Sequence, residues 1–276
     1  MNKKCLVKGI ISAVVLMIVL IVMPCVGSND LNAAPGNAAI EKIKSVGKLV
    51  VGTSADYPPY EFYLLNDKDG ELVGIDIDIA KVIAQELGVK LVIKDLIFSR
   101  IFNALDTDQI DLAIAGLHPT EERKKIASFS DIYYQAIQSI VIQKENAEKI
   151  TTVEDLRGKR VGTQKDTIQQ EMATQQIVGA EFIVRETIEE LVISLKKGLV
   201  DAIILEKPVA DSYLRQEKTF SSIQCERFDN MLGSAIAVKK GNQELLNEIN
   251  RILAKLKEEN HINEFVENAK MLTDKR

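Results

Sequence analysis

The sequence IDLAIAGLHPTEER, at residues 110–123, predicts a buried strand, a polar turn and the start of a helix. Residues 110–115 are apolar apart from one Asp, as in a short strand of a parallel sheet that is covered on both faces. Gly116 ends the strand, and Thr120 is a suitable N-cap for the helix. Arg123 lies in the first helical turn, where the helix dipole disfavours a cation. Two explanations stay open: a surface salt bridge to a neighbouring Glu, or a guanidinium held at the strand end for a ligand.

The order strand, helix, strand, helix, strand occurs twice along the chain. In the first copy a strand at residues 48–53 precedes a helix at 75–87, whose apolar side chains repeat at helical spacing up to Gly88. The second copy begins with a strand at 160–163 and ends with a buried strand at 200–205. This repetition predicts two α/β lobes whose strand ends face each other across a cleft.

Short sequence echoes support the repetition. The tripeptide VGT at 51–53 returns at 161–163, and an apolar residue followed by an Asp opens the last strand of both copies, as Asp111 and Asp201. Tripeptides alone are weak evidence, so the prediction rests mainly on the matching order of elements.

Two segments, 132–143 and 234–238, predict extended crossings between the lobes. A helix at 243–259 has its apolar side chains on one side, so we expect it to pack back on the first lobe. The expected boundaries are residues 40–136 with 234–276 for the first lobe, and 137–233, including the hinge crossings, for the second.

Residues 1–24 predict an export signal that is removed from the mature protein. Three lysines precede a mostly apolar run at 10–23, which is shorter than the roughly 20 residues that a membrane span needs. We therefore expect an exported protein, in the periplasm or at the outer face of the cell membrane. Removal of the signal takes the formal net charge from −5 to −8, because three lysines and no acid are lost. This acidity argues against nucleic acid or an anionic membrane surface as a partner.

The way in which the signal is cut has two interpretations. Cys25 directly follows the apolar run, as in bacterial lipoproteins whose new N-terminal Cys is acylated, but Pro24 stands where that signal has a small residue. Plain cleavage near residues 28–34 is the alternative. Residues 25–39 are small and polar, so they predict a flexible tether. If Cys25 is acylated, Cys225 is the remaining thiol; no Cys/His spacing resembles a metal site, and we expect no cofactor.

Several motifs together resemble the solute-binding proteins of polar amino-acid ABC importers. They are GTSADYPPYEF at 52–62, GIDIDIAKVIAQELG at 74–88, FSRIFNALDTDQIDLAIAGLHPTEERKKIASFSDIYY at 98–134, GKRVGTQKDT at 158–167 and DAIILEKPVA at 201–210. The resemblance covers nearly all of residues 45–270. It implies an α/β type II periplasmic-binding-protein fold, with two lobes joined by two crossover strands, that closes on one amino acid. The implied partners are a free amino acid and the membrane permease of an ABC importer, and we expect a monomer.

The resemblance implies that Arg123, in the T-x-x-R motif, grips the α-carboxylate of the ligand. The hydroxyl of Thr167 would meet the same carboxylate, and Glu206 would bind the α-ammonium. These roles also make physical sense, because a zwitterion needs a planar, bidentate cation at one end and an anion at the other. The structural alternatives are a plain helix cap for Thr167 and a solvated acid at a helix start for Glu206.

Further site residues follow from the same resemblance. Gly116 and His118 lie where main-chain and hydroxyl groups meet the ligand, and Tyr57 and Phe98 match the aromatics that sandwich its side chain. The alternative for both aromatics is a place in a lobe core. Glu61 could add a negative end to the side-chain site.

The sequence departs from the usual family pattern at several positions. His118 stands where Ser or Thr is common, and Ser54 replaces a frequent Asp. Glu206 is one methylene longer than the usual Asp. Asp166 replaces a Gly, which suits a residue in the left-handed region but brings a carboxylate near the expected ligand carboxylate. The preference of any one relative therefore does not transfer directly.

Two classes of function are compatible with these residues. The first is transport binding without catalysis, and the aromatics with Glu61 favour a basic amino acid of the arginine or lysine type, with glutamine or histidine as alternatives. The second is a secreted enzyme that resembles the cyclohexadienyl dehydratases, with Glu61 or a protonated His118 as general acid. The zwitterion clamp favours binding, so we expect no enzyme. A sensor domain would need a further transmembrane segment, which we do not expect.

Overall fold

The structure is a computed structural model in which residues 38–64, 70–224 and 232–275 are described. The predicted signal at 1–24, Cys25 and nearly all of the predicted tether at 25–39 lie outside the described residues. Within those residues, no helix combines the length and the apolar character that crossing a membrane requires.

Strands and helices alternate through the described residues. Between residues 38 and 129 they are α1 (Ala38–Val46), β1 (Lys48–Thr53), β2 (Asp56–Tyr57), β3 (Glu61–Leu64), β4 (Glu71–Val73), α2 (Ile75–Leu87), β5 (Lys90–Asp95), α3 (Ile101–Asp106), β6 (Leu112–Ala113), α4 (Glu121–Ile126) and β7 (Ala127–Phe129). Between 134 and 224 they are β8 (Tyr134–Ala136), β9 (Gln138–Gln143), β10 (Arg160–Gln164), α5 (Ile168–Gln176), β11 (Glu181–Arg185), α6 (Ile188–Lys196), β12 (Ala202–Glu206), α7 (Lys207–Gln216) and β13 (Phe220–Gln224). The last elements are β14 (Leu232–Ser234), β15 (Ala237–Lys239), α8 (Gln243–Glu258) and α9 (His261–Thr273).

Two five-stranded sheets form the two lobes. The first has the order β5-β1-β6-β15-β7, and the second has the order β11-β10-β12-β9-β13. In each sheet the three strands of one sequence copy are parallel, and an antiparallel strand lies beside the third of them. The repeated order predicted from the sequence is therefore confirmed, and the arrangement matches the two-lobe fold that the resemblance implies.

The sequence echoes have a structural reason. The Asp111 carboxylate accepts a hydrogen bond from Val50 N at 2.8 Å, and the Asp201 carboxylate accepts one from Arg160 N at 2.8 Å. Each Asp thus holds a main-chain N–H of the first strand of its own copy, β1 or β10. Gly52 also has a packing role, because a Cβ there would lie 2.5 Å from Ile110 Cδ1.

Some boundaries differ from the predicted ones. The strand predicted over 110–115 pairs as a ladder only at Leu112–Ala113, although Ile114 N still donates to Gly52 O at 3.0 Å. The segment before α3 is a 3₁₀ turn, Phe98–Arg100. The sequence pattern did not predict α1, α7 or α9. The predicted packing of α8 on the first lobe is confirmed, because its apolar face shares a core with α2.

The segments between the lobes form a two-stranded antiparallel pair, β14 with β8. Each segment continues into a sheet strand, so the chain passes between the lobes in extended form, as predicted for the crossings. The predicted lobe boundaries fall within these segments and stay predictions.

A second antiparallel sheet, β2-β3-β4, carries the YPPYEF loop of the first lobe. The loop is fixed against the start of α2, where Ile75 N donates to Pro59 O and Asp76 N donates to Tyr60 O, at 3.1 and 3.0 Å. Gly74 has a φ of +131°, and a Cβ there would lie 2.1 Å from Tyr60 O. Only glycine therefore allows this close approach of the two backbones.

We expect Gly74→Ala to lower the free energy of unfolding by at least about 2 kcal/mol, because both the backbone angle and the contact are unfavourable. The control is Gly88→Ala: Gly88 has a φ of +71°, and a Cβ there would have no atom within 4 Å, so only the angle is penalised, at about 1 kcal/mol. Urea unfolding of both variants measures the difference. Equal losses would contradict the close-approach explanation.

Candidate functional site

A cavity of about 340 Å³ lies between the carboxyl ends of the two sets of parallel strands. Every ligand-binding residue predicted from the sequence lines it: Ser54, Tyr57, Glu61, Phe98, Gly116, His118, Arg123, Thr167 and Glu206. The sequence did not single out the other lining residues, which are Asp56, Ala115, Gln164, Ile168 and Gln169. No group of side chains able to hold a metal ion occurs in the described part of the chain.

Arg123 extends from the short helix α4 across the cavity. Thr120 caps this helix by accepting from Arg123 N, as predicted. The guanidinium donates to His118 O at 3.1 Å and to Asp166 O of the second lobe at 3.0 Å. The surface salt bridge that the sequence left open is therefore wrong, since Arg123 is buried and bonds to carbonyl groups. Burial lowers its pKa to about 10, so the side chain is still a cation at neutral pH.

Two aromatic rings flank the guanidinium of Arg123. Its Cζ atom lies 5.4 Å from the ring centre of Phe98 and 5.3 Å from that of Phe102. Cation–π contact of this kind partly compensates the loss of hydration. Two of the five N–H donors of the guanidinium bond to carbonyls, which leaves donors for a carboxylate.

Thr167 is the N-cap of α5, as predicted, and accepts from Gln170 N. Its hydroxyl also donates to Gln164 O at 2.7 Å, so its own proton is already used. The preceding residue, Asp166, has a φ of +61°, in the left-handed region expected for it. Together these residues place the N–H groups of the first turn of α5 near Arg123, where they add to its attraction for an anion.

Glu206 is the last residue of β12 and is 1% exposed, so the alternative of a solvated acid is wrong. Tyr60 donates its hydroxyl proton to Glu206 Oε2. The other carboxylate oxygen, Oε1, lies 3.1 Å from His118 Nε2, and neither atom has a hydrogen-bond partner among the described residues. The other ring nitrogen, His118 Nδ1, lies 2.9 Å from Gly116 O.

Glu61 and Asp76 form a buried carboxyl pair behind the cavity, each 1% exposed. Asp76 accepts from Gly116 N at 2.9 Å and from Tyr133 Oη at 2.8 Å. Burial raises the pKa of Asp76 to about 6 despite these bonds. Burial, followed by the nearby Asp76 charge, raises the pKa of Glu61 well above its ordinary value. This shift favours the protonated form of Glu61, and among the described residues its Oε2 atom has no hydrogen-bond partner.

Asp56 connects the lobes at the edge of the cavity. Its carboxylate accepts from Ile188 N at the start of α6, at 2.6 Å, and its main-chain oxygen accepts from Tyr213 Oη at 3.0 Å. Burial is the largest cause that raises the pKa of Asp56 to about 6, and the negative charge of Glu189 adds to it. Its place in the SADYPPYEF loop was the signal that could have identified it, because this loop was already expected at the strand end.

The aromatic wall is built from stacked rings. Tyr57 stacks on Tyr60 with a centroid distance of 5.4 Å and an interplanar angle of 22°. Gly116, with a φ of +54°, approaches this wall so closely that a Cβ would lie 3.2 Å from Tyr57 Cε1. On the opposite wall, Gln169 Nε2 donates to Gln138 Oε1 at 2.9 Å. Gln138 and Gln169 were missed because single polar residues in a strand and a helix carry no pattern.

The fold and the cavity define a two-lobed binding protein, and comparison with known proteins gives the family. The model of the bacterial extracellular solute-binding proteins, family 3, matches residues 49–269. The chain belongs to this family. It is 34% identical to the arginine-binding extracellular protein ArtP of Bacillus subtilis, over 87% of this chain and 92% of that one. It is 30% identical to the glutamine-binding protein GlnH of the same organism, over 92% and 93%.

Solved structures show the same architecture. The amino-acid ABC transporter substrate-binding protein AbpA of Streptococcus pneumoniae, bound to L-arginine, has a TM-score of 0.83 and 33% identity, covering 86% of this chain and 100% of that one. The ancestral amino-acid-binding protein AncCDT-1, a precursor of cyclohexadienyl dehydratase, has a TM-score of 0.77 and 34% identity, covering 83% and 98%. The expected type II fold with two lobes is thus confirmed.

The raised pKa of Asp56 predicts a pH effect on stability. The pKa is higher in the folded protein, so the folded state holds a proton that the unfolded chain releases between about pH 4 and 6, and stability falls as pH rises. Asn at this position keeps an oxygen for Ile188 N but does not ionise. At each pH we compare the free energy of unfolding of Asp56→Asn with that of the unsubstituted protein. We expect this difference to favour Asp56→Asn by about 1–2 kcal/mol more at pH 7 than at pH 4. The value is discounted because the side chain is partly exposed.

Urea unfolding at both pH values, with exposed Glu145→Gln as the control for removal of an acid, measures this effect. A stability difference that does not change with pH would contradict the assignment to Asp56.

Proposed function

We propose that this protein binds one free basic amino acid, of the arginine or lysine type, between its lobes and delivers it to the permease of an ABC importer. The observation that carries the proposal is the charge of the cavity lining. One guanidinium, that of Arg123, and the carboxyl groups of Asp56, Glu61 and Glu206 line the cavity. A ligand with one negative and two positive charges complements this distribution.

The main-chain ends of the ligand are held by the two lobes. The α-carboxylate binds the remaining donors of Arg123 and the N-terminal N–H groups of α5, whose cap is Thr167. The α-ammonium binds the carboxylate of Glu206, which is buried and therefore interacts with a cation more strongly than it would in water. This clamp requires both a carboxylate and an ammonium, and it fits any free α-amino acid.

The side chain of the ligand meets the remaining acids. Glu61 lines the cavity, burial favours its protonated form, and its buried Oε2 atom has no hydrogen-bond partner among the described residues. A guanidinium or ammonium group placed there would favour the ionised form of Glu61 and gain a charged hydrogen bond. Tyr57 offers an aromatic face to the same group, while Phe98 already contacts Arg123.

Transport explains why the site lies between two lobes. Ligand contacts to both lobes favour the closed arrangement, and the hinge motion changes the relative position of two surfaces that a permease can contact. ArtP and AbpA, which are arginine binders by name or by bound ligand, support both the substrate class and the ABC importer. Export through residues 1–24, followed either by acylation of Cys25 or by plain cleavage near residues 28–34, and a monomeric state are parts of the same proposal.

The alternative function is a dehydratase-like enzyme on this fold. Glu61 is the group that favours it, because burial raises the pKa of this carboxyl and so favours the protonated form, which can act as a general acid. We favour binding without conversion, because the relatives described above are binding proteins and AncCDT-1 is itself an amino-acid-binding protein.

The proposal is tested by thermal shift with each of the twenty amino acids, followed by calorimetry. We expect arginine or lysine to raise the melting temperature most, and Arg123→Ala to weaken binding at least 100-fold, because charged hydrogen bonds contribute about 1.5–3 kcal/mol each. Lys124→Ala, on the exposed side of the same helix, should bind as the unsubstituted protein does. Binding of aspartate or glutamate alone, or turnover of a cyclohexadienyl acid, would overturn the proposal.

The role of Glu61 is tested by the ratio of two affinities. Glu61→Gln keeps a hydrogen-bonding group beside Asp76 but removes the ability to ionise. We expect the affinity for arginine to fall about tenfold or more relative to the affinity for glutamine, and exposed Glu145→Gln to leave the ratio unchanged. An unchanged ratio in Glu61→Gln would mean that Glu61 does not contact the ligand side chain.

A further inference from the structure

The hydrogen bonds of His118 fix where its protons lie. Its ring is buried, and Nδ1 is 2.9 Å from Gly116 O. A carbonyl oxygen can only accept, so Nδ1 carries a hydrogen whether the ring is neutral or charged. The neutral ring consequently presents a lone pair at Nε2.

That lone pair faces another acceptor. His118 Nε2 lies 3.1 Å from Glu206 Oε1, and neither atom has a hydrogen-bond partner among the described residues. Two buried acceptors at this distance repel each other unless a proton lies between them. Either Nε2 is protonated, which gives an imidazolium beside a carboxylate, or an external group with several N–H donors binds both atoms.

An α-ammonium is such a group, because its three N–H donors and positive charge satisfy an imidazole nitrogen and a carboxylate together. We propose that His118 binds the α-ammonium of the ligand through Nε2, and that its own proton competes with that ammonium for Glu206. This inference rests on the proposed function, namely that an amino acid binds in this cavity.

The proposal makes binding an exchange of cations. Before binding, the imidazolium of His118 neutralises Glu206; after binding, the ammonium neutralises Glu206 and the neutral ring accepts one of its hydrogens. One proton passes from Nε2 to the buffer, and the net charge around Glu206 does not change. Affinity therefore falls as the pH decreases, because a proton competes with the ammonium for Nε2.

Other groups around the pair also titrate and must be separated from His118. The carboxyl groups of Glu61 in β3 and Asp76 in α2 interact electrostatically with Glu206, and so do the phenol groups of Tyr60 and Tyr57. The guanidinium of Arg123 in α4 donates a hydrogen bond to the main-chain oxygen of His118. Asp56, at the edge of the cavity, has a pKa of about 6, so it also takes up protons as the pH decreases from 8 to 5.

The experiment counts protons by calorimetry. The probe is the amino acid that gives the largest melting shift in the screen of twenty, titrated at pH 6 in buffers of different ionisation enthalpy. We expect His118→Gln, which keeps an acceptor near Nε2 but cannot be protonated, to release about one proton fewer than the unsubstituted protein. Its affinity should also change less between pH 8 and 5, by up to about tenfold per pH unit. His118→Thr, with the usual family residue, should behave in the same way.

Matched controls separate the other groups. When His118→Gln is added to Asp56→Asn or to Glu61→Gln, the number of protons released on binding should still fall by about one. The desamino analogue of the same ligand lacks the ammonium, so its binding should release equal numbers of protons from the unsubstituted protein and from His118→Gln. Binding with equal proton release in the unsubstituted protein and in both His118 variants would overturn this inference alone. A protein that binds none of the twenty amino acids would instead overturn the proposed function.

Discussion

Buried carboxyl groups are the constraint on which the region between the lobes depends. Glu61, Asp76 and Glu206 are each 1% exposed, and moving an ionised carboxylate out of water costs several kcal/mol unless donors or cations compensate. The chain supplies only part of this compensation. Asp76 receives an N–H and a phenol hydroxyl, whereas among the described residues one oxygen of Glu61 and one oxygen of Glu206 have no hydrogen-bond donor. This incomplete compensation favours a ligand that brings positive charge.

The contacts that join the lobes follow the same rule. Arg123 donates to Asp166 O, Ser99 donates to Glu186, and the carboxylate of Asp56 accepts from Ile188 N. In each contact a charged or hydroxyl side chain of the first lobe bonds to a polar group of the second lobe. That polar group lies at the start of a helix or just before it. Such bonds are individually modest, about 1–3 kcal/mol, because both partners can return to water when the cleft opens. They can therefore guide closure without making it permanent, and a ligand that contacts both lobes shifts the balance.

Much of this arrangement could be predicted from the sequence, because it depends on repeated patterns. Apolar periodicity located α2 and α8, and the order of elements identified two lobes. The cation in the first turn of α4 was recognised as a misfit, and its buried position is the reason for it. Most predicted lining residues lie at the cavity because they follow a strand end or open a helix, whereas Tyr57 and Glu61 lie in the short strands β2 and β3.

The remaining features depend on tertiary contacts that leave no local pattern. Asp56 gains its importance from the start of α6, a helix 132 residues further along the chain. The strand expected over 110–115 pairs as a ladder only at Leu112–Ala113, because its neighbours β1 and β15 overlap it for two residues each. The proximity of His118 to Glu206 could not be predicted, because it depends on the distance between a turn of the first lobe and a strand end of the second.

The duplicated topology explains how one cavity comes to hold opposite charges on opposite walls. β6 and β12 are equivalent strands, since each is third in the parallel set of its sheet and each follows an Asp that holds a main-chain N–H of the first strand of its copy. The chain leaves β6 into the turn that ends at Arg123 and leaves β12 at Glu206 itself. A zwitterion presents its two charges a few ångströms apart, which is the separation that two facing strand ends can span. The two copies share one strand order but carry opposite charges where the chain leaves the third strand. This difference is sufficient to orient an amino acid. The neighbouring loops are then free to determine which amino acid binds.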